Sequence, residues 1–374
     1  MGDALGLSVS EDFEYLVGFL PEGWESKAKE LGALRRARKV PDARTLLRAL
    51  LVHLGEGCSL RETAARAKQG GLMDVSDVAI MDRLRLSGEW LRWMGEGVMA
   101  QWARRGAREV FGEWNVRVVD GTVISEPGPR GAAWRLHYAI DLASLRCREL
   151  SVALAKGRGN GEGFGRFAVE PGDLFLGDRA YALAPGVAGV VEAGGHVLAR
   201  FVWSNLPLRD PAGGAFGLFE RLRALRGASL GDWPAVFEHE GRAVAGRVCA
   251  IKRSRQAAER ARERARRRSQ RHGAEIRAET LEAAGYVFVF TTADAKRLGA
   301  GRALEFYRGR WQVELAFKRL KSIMGVGSLR KTDPDSSRAW IHGKLLVAFL
   351  VEALKTAAES FSPWGYPLRP PART

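Results

Sequence analysis

The sequence predicts an α/β protein with a helical amino-terminal part, a sheet beyond it and helices towards the carboxyl end. Apolar residues recur at helical spacing up to about residue 110, change there to short alternating or continuous runs, and return to helical spacing from about residue 302. With 374 residues, 46% hydrophobic and 27% charged, the chain can bury a sizeable core over two or three domains without disulfide staples. Cys58, Cys147 and Cys249 lie far apart and form no Cys-x-x-Cys pair, which argues against a disulfide framework and against a zinc site.

Residues 1–110 read as helical. Leu46, Leu47, Ala49, Leu50, Leu51 and Leu54 form one apolar face. Ser59-Leu-Arg-Glu62 is a capping box opening a short helix, Gly70-Gly71 breaks it, and Ser76 caps a second helix carrying Val78, Met81, Leu84 and Leu91. That spacing suits a DNA-binding helix-turn-helix, and it suits equally well a small bundle with no groove contact. Strands are expected at Val116 to Val119, Trp134 to Ile140, Glu149 to Ala155 and Leu174 to Leu176, with turns such as Glu126-Pro-Gly-Pro129 between them. Val197 to Trp203 and Tyr286 to Phe290 extend the sheet. Ser254 to Ala284, rich in Ala, Arg and Glu with almost no large apolar residues, reads as a mostly exposed helix. A long helix is expected from Arg302 to Met324 and another from Ser336 to Ala357, followed by a Pro-rich frayed tail over 359–374.

Lys and Arg total 59 against 43 Asp and Glu, a formal charge of +16. Such an excess points to a polyanionic partner, nucleic acid or an anionic membrane surface. The membrane is the weaker option. The longest apolar run, Leu345 to Val351, is far too short to span, and Met1-Gly-Asp3 opens no signal peptide, so a cytoplasmic protein is expected. The charge is unevenly spread: the first 110 residues sum to +1 and the rest to +15, with +8 concentrated in 252–271.

Two aspartates stand in like positions, in Val116-Arg-Val-Val-Asp120-Gly-Thr and Leu174-Phe-Leu-Gly-Asp178-Arg-Ala-Tyr, each closing an apolar strand. A carboxylate so placed is held by a rigid element where neighbouring strands converge, although Asp-Gly more commonly caps a turn. In Tyr307-Arg-Gly-Arg310-Trp-Gln-Val-Glu314-Leu-Ala-Phe-Lys-Arg-Leu-Lys321, the residues Tyr307, Arg310, Glu314 and Lys321 fall within roughly 60° of one helix face. Phe306, Val313, Phe317, Leu320 and Met324 make a separate apolar stripe. A solvated i, i+4 ion-pair face would account for Arg310 with Glu314 but not for Tyr307 and Lys321 in the same row.

With these residues the chain resembles the DDE transposases of bacterial insertion sequences, specifically the insertion-sequence-four group with its Tyr-x2-Arg-x3-Glu-x6-Lys signature. The resemblance includes Asp-Gly-Thr at Asp120, Gly-Asp-Arg-x-Tyr at Asp178 and Trp134-Arg-Leu-His-Tyr-Ala-Ile-Asp141. It covers about 110 to 345, with weaker similarity at Ser59 to Thr63 and Val75 to Asp77. It implies a ribonuclease-H-like catalytic core over 111–200 and 285–358, an amino-terminal helical domain over 1–110 that is a candidate for DNA binding, and a strand-rich insertion with a basic helix over 201–284. Asp120, Asp178 and Glu314 are then the metal ligands and catalytic residues.

The resemblance further implies cut-and-paste transposition on double-stranded DNA at element ends and targets, by a homodimer in the synaptic complex. Only 60 residues follow Glu314, so the large carboxy-terminal dimerisation domain of some relatives is not expected. Two Mg²⁺ or Mn²⁺ ions roughly 3.5 to 4 Å apart would activate water and neutralise the phosphoryl and leaving oxygens. Arg310 and Lys321 would hold phosphates, with Tyr307 donating nearby. Arg264, Arg266, Arg267 and Arg268 would contact DNA. Trp311, about 60° from Glu314 on the wheel, would either stack on an extruded base or pack as core. Asp141, Asp173 and His137 read as structural groups, and His272 as part of the exposed helix. A domesticated DNA-binding regulator and a nuclease or resolvase on the same core are the competing readings.

Overall fold

The computed structural model describes residues 12–35, 39–103, 111–127, 131–157, 159–322, 325–327, 329 and 332–358. Met324, Gly128-Pro129 and the tail 359–374 lie outside the described residues.

Helices α1 (Trp24–Glu30), α2 (Ala43–Gly55), α3 (Leu60–Gln69), α4 (Asp77–Leu86) and α5 (Gly88–Ala103) build the amino-terminal part. Their starts follow local chemistry. Asp42 accepts from the Thr45 amide, Ser59 from Glu62 and Ser76 from Ala79, each satisfying an end donor that the helix leaves unpaired. Leu46, Leu47, Leu50 and Leu54 are buried as their spacing predicts. Two expectations fail: Leu91 belongs to α5, because α4 ends at Leu86, and Val78 is 65% exposed, the buried face of α4 being Ile80 and Leu84.

The sheet follows as β1 (Asn115–Ser125), β2 (Ala132–Asp141), β3 (Cys147–Leu154), β4 (Asp173–Gly177), α6 (Ala184–Glu192), β5 (His196–Ala199), α7 (Leu218–Ala224), β6 (Leu230–His239), β7 (Arg242–Lys252), α8 (Arg255–Arg271), α9 (Ala278–Ala283) and β8 (Tyr286–Thr291). Eight strands stand in the order β3-β2-β1-β4-β5-β8-β7-β6 among the described residues. β1, β2 and β3 form an antiparallel meander, β4 and β5 run parallel to β1, and β8, β7 and β6 complete the sheet antiparallel.

Side chains alternate across the sheet. Val116, Val118, Leu174 and Leu176 share one buried cluster with the terminal helices, whereas Val119, Phe175 and Val197 pack on the other side with Phe164, Tyr181 and α6. β5 stops at Ala199, short of the expected Trp203, and β6 and β7 are absent from the strands the sequence points to. Pro234 sits in β6, which is tolerable because that strand forms the sheet edge.

The carboxy-terminal helices are α10 (Ala300–Gly309), α11 (Trp311–Ser322) and α12 (Pro334–Ala358). The expected single helix from Arg302 to Met324 is divided at Arg310. There the amide of Arg310 bonds to the Tyr307 carbonyl at 3.2 Å and that of Val313 to the Arg310 carbonyl at 3.3 Å, a tighter turn than the α-helical one. Gly309 lets the joint close on β2's end: a Cβ there would come within 2.6 Å of Leu142 Cδ2. Beyond it Val313, Phe317 and Leu320 are buried as the stripe predicts, with Phe317 against Tyr138 at 5.7 Å between centroids.

The Ser254 to Ala284 helix is likewise two, α8 and α9, parted at Gly273, whose φ of 61° lies in the left-handed region. Helix α12, apolar on nearly every side, is buried against α5, α2 and α4, and Gly343 brings it against Leu54. The amino-terminal helices, α12, α11 and one sheet face thereby share a continuous core. Asp173 is structural, as expected: it is fully buried and takes Arg117 Nη1 at 2.8 Å, while Arg117 Nη2 reaches Glu149 at 2.7 Å. Asp141 caps a turn by accepting from Ser144.

Candidate active site

The parallel register of β1 and β4 ends at Val118 opposite Leu176. Two residues further along each chain come Asp120 and Asp178, side by side where the strands part. β4 stops at Gly177, but β1 runs on with β2 to Ser125, so Asp120 lies within a strand and neither closes it nor caps a turn. The amide of Gly121 donates to Asp120 Oδ1 at 2.8 Å, and the amide of Ala180 to Asp178 Oδ1 at 2.8 Å.

The third carboxylate arrives from α11, which packs on β1's face. The tight joint turns Arg310 towards the strand. Its Nη1 is 3.4 Å from Asp120 Oδ2 and its Nη2 pairs with Glu314 Oε1, so one guanidinium links a strand carboxylate to a helix carboxylate. Burial pushes the Asp120 carboxyl up to about 6; the negative charges of Asp178 and Glu162 add to this, and the Gly121 amide and Arg310 oppose it. Burial also pushes the Tyr307 phenol up to about 12.

These groups line a cavity of about 890 Å³. Asp120, Asp178 and Glu314 form part of its wall with Tyr307 and Arg310, while α8 contributes Arg264 and Arg268. Arg179, Arg200 and Arg253 carry further positive charge around it. Arg179 opens onto the cavity, yet surrounding protein, and then the charges of Arg200 and Arg268, lower its pKa to about 10. Burial lowers that of Arg200 too, and its Nε has no hydrogen-bond partner among the described residues. The cavity joins acidic and cationic groups, the pairing required to hold a phosphodiester beside cation-binding carboxylates.

Not every sequence expectation converges here. Lys321 is exposed, nearly two turns beyond Glu314, and is not part of the cavity wall. Trp311 is 56% exposed, neither packed as core nor lining the cavity. Arg266 pairs with Glu259 at 3.2 Å and Arg267 with Glu263, on the side of α8 away from the wall. His272 does line the cavity.

Sequence reasoning missed Arg179, Arg200, Arg253 and Trp203 in the cavity wall, and Glu162, whose charge bears on Asp120. Arg200 and Arg253 follow directly on β5 and β7, the same place relative to an apolar run that marked Asp178. Glu162 has no such signal. His137, inside β2, is fully buried with its pKa lowered to about 4, chiefly by burial, which suits a neutral structural residue.

Among the described residues no group of three or more His, Cys, Asp or Glu is already drawn together as a metal cage. The donor set nevertheless fits a hard dication. The nearby ligands are carboxylate oxygens, and a cationic guanidinium already stands between Asp120 and Glu314.

The family described as Transposase DDE domain matches residues 114–350, the span that contains all three carboxylates. The chain belongs to this DDE transposase family. Over 349 residues it is 33% identical to the protein named as transposase InsL for insertion sequence element IS186A of Escherichia coli K12, covering 92% of this chain and 93% of that protein. The transposase for insertion sequence element IS421 of Escherichia coli is 33% identical over 350 residues, with the same coverage. A solved piggyBac transposase synaptic complex with hairpin DNA aligns at 9% identity and a TM-score of 0.39, covering 91% of this chain and 74% of that one, too distant to carry weight. The protein is thus a DNA transposase of the bacterial insertion-sequence kind, and an enzyme. No helix among the transposase's described residues is long and apolar enough to cross a membrane.

Asp120 gives the metal-free transposase a signed pH dependence. With its pKa raised from 3.8 to about 6, the folded state holds more protons than the unfolded one between those values. Stability should therefore fall as pH rises through that window, on the order of 3 kcal/mol at most for this group. Denaturant unfolding of wild type and Asp120→Asn in EDTA should show that dependence flattened in the variant, which should be the more stable protein at pH 8. Equal stabilities at pH 8 would contradict it.

Proposed function

We propose that this transposase belongs to the insertion-sequence-four group and cuts and rejoins DNA at element ends through a divalent cation centre held by Asp120, Asp178 and Glu314. The observation that carries the reading is the arrival of these carboxylates, from two strands and a distant helix, at one cavity walled with arginines. The strand order β3-β2-β1-β4-β5, with β4 and β5 parallel to β1, supports a ribonuclease-H-like core. The stretch 201–284, which holds β6, β7 and α8, is read as the insertion, and its basic helix shares the cavity wall with Glu314 through Arg264 and Arg268. The helices within 1–110 are proposed to bind DNA as well.

Two Mg²⁺ or Mn²⁺ ions bound to these carboxylates would supply an activated water and neutralise charge on the phosphoryl and leaving oxygens. The chain's own groups set the substrate. Asp120 and Asp178 are fixed by backbone amide bonds, so their direction is set by the sheet. Arg310 and Tyr307, in the cavity wall with the carboxylates, would meet a scissile phosphate, and Arg179, Arg200, Arg264 and Arg268 would hold the flanking backbone. Trp203, half-buried in the wall and edge-on to Phe219 at 5.1 Å, is better placed than Trp311 to receive a base. The substrate would be double-stranded DNA at element ends and targets, the active form a homodimer, and the compartment the cytoplasm. An intact carboxylate triad weighs against a regulator that has lost catalysis.

Asp120→Ala, Asp178→Ala and Glu314→Ala should each abolish cleavage of element-end DNA and keep DNA binding within a few fold. Wild-type cleavage should stop in EDTA and return with Mg²⁺. Near-normal cutting by any one variant would remove that residue from the centre.

Charge reversal of Arg264 and Arg268 should reduce the slope of log affinity against log salt by roughly 0.9 for each phosphate that is no longer neutralised. Reversal of Arg266 and Arg267, away from the cavity, should change it less. Equal slopes for the two pairs would show that α8 acts only as a diffuse charge.

A further inference from the structure

Between β3 and β4 the chain crosses the sheet face opposite α11, and Glu162 lies there just before the short turn Phe164–Arg166. It belongs to none of the sequence motifs. On β1 the residue that faces this side next to Asp120 is Gly121. A Cβ at Gly121 would lie 3.0 Å from both Cγ and Oε1 of Glu162, so the absent side chain is what seats a carboxylate against β1 one residue from Asp120. Arg135 Nη1 holds Glu162 Oε1 at 2.5 Å.

A second feature converges on the same spot. Tyr181 is fully buried, and its hydroxyl has no hydrogen-bond partner among the described residues. A phenol in that state is costly unless a ligand or water completes it. Its ring packs on Phe164, two residues beyond Glu162, at 5.5 Å between centroids, and a Cβ at Gly177, next to Asp178, would come within 2.8 Å of Tyr181 Cβ. Burial, and then the charges of Asp120, Glu162 and Asp178, raise its pKa. Burial raises the Glu162 carboxyl; Arg135 opposes this and the charge of Asp178 adds a smaller push upwards.

We propose that Glu162 is a fourth carboxylate of the metal centre, reaching Asp120 and Asp178 from the sheet face opposite Glu314, with the Tyr181 hydroxyl directed at a cation-bound water between them. The inference rests on the cation reading above. A plain Arg135–Glu162 ion pair accounts for the bond between them but leaves unexplained the seat at Gly121 and the unpartnered hydroxyl.

The test is Mn²⁺ titration of the full-length protein, followed by loss of the free-ion paramagnetic resonance signal, for wild type, Glu162→Gln and Arg135→Gln. Wild type should bind Mn²⁺. Glu162→Gln should weaken binding roughly tenfold or more, while Arg135→Gln, which breaks the ion pair but keeps the carboxylate, should bind as tightly as wild type. Identical isotherms for wild type and Glu162→Gln would overturn the role of Glu162 and leave the cation reading intact. Equal weakening by both variants would also overturn it, since a structural ion pair behaves that way. Absence of Mn²⁺ binding by wild type would overturn the cation reading together with this one. Thermal unfolding in EDTA checks each fold. Should Glu162→Gln not fold, Glu162→Asp replaces it, with weakened binding expected and wild-type binding overturning the proposal.

Discussion

Two negative charges are brought together where β1 and β4 part, and much of the surrounding structure answers that constraint. The strands are largely apolar up to that point and buried, and the cation within them, Arg117, is taken up by Asp173 and Glu149, so it does not compensate the carboxylates. Compensation comes from elsewhere: Arg310 at the joint of α10 and α11, and the arginines that follow β4, β5 and β7. The Asp120 carboxyl remains high despite them, chiefly through burial and Asp178. A centre that repels itself when empty binds a cation more readily than one already neutralised, because the repulsion is relieved on binding.

Rigidity on both sides makes this arrangement possible. Beneath α11 lies a core shared with the amino-terminal helices through α12, so the helix that carries Glu314 is backed by packing well beyond the sheet. On the other face Phe164, Phe167, Phe175 and Tyr181 pack against one another behind β4. The Arg117 network with Asp173 and Glu149 ties β1 to the chain entering β4 and so helps hold the two aspartate-bearing strands in register.

What the sequence showed of the site was what depends on neighbours along the chain. Asp120 and Asp178 stand out because each follows a mostly apolar run, and the α11 stripe because its spacing survives in the fold. The break between α10 and α11 at Arg310 could not be read, since the close approach of Gly309 to Leu142, at the end of β2, is between residues far apart in sequence. The same holds for Glu162, which no local pattern marks and which is placed by the bare backbone of Gly121. Strands β6 and β7 were hidden by Pro234 and by glycines at Gly231 and Gly246, tolerated through edge position and close aromatic packing. The basic helix was legible as exposed, but which of its arginines face the cavity depends on how it crosses the sheet end: Arg264 and Arg268 do, while Arg266 and Arg267 pair within the helix.

The central claim is that Asp120, Asp178 and Glu314 form one cation centre in which Arg310 now stands for the positive charge. Crystals grown in Mn²⁺ and measured at its absorption edge test this most directly. The account predicts anomalous density between Asp120 and Asp178, with the Arg310 guanidinium withdrawn from Asp120. Arg310 still bridging Asp120 and Glu314, with ordered Mn²⁺ bound only elsewhere on the protein, would contradict it.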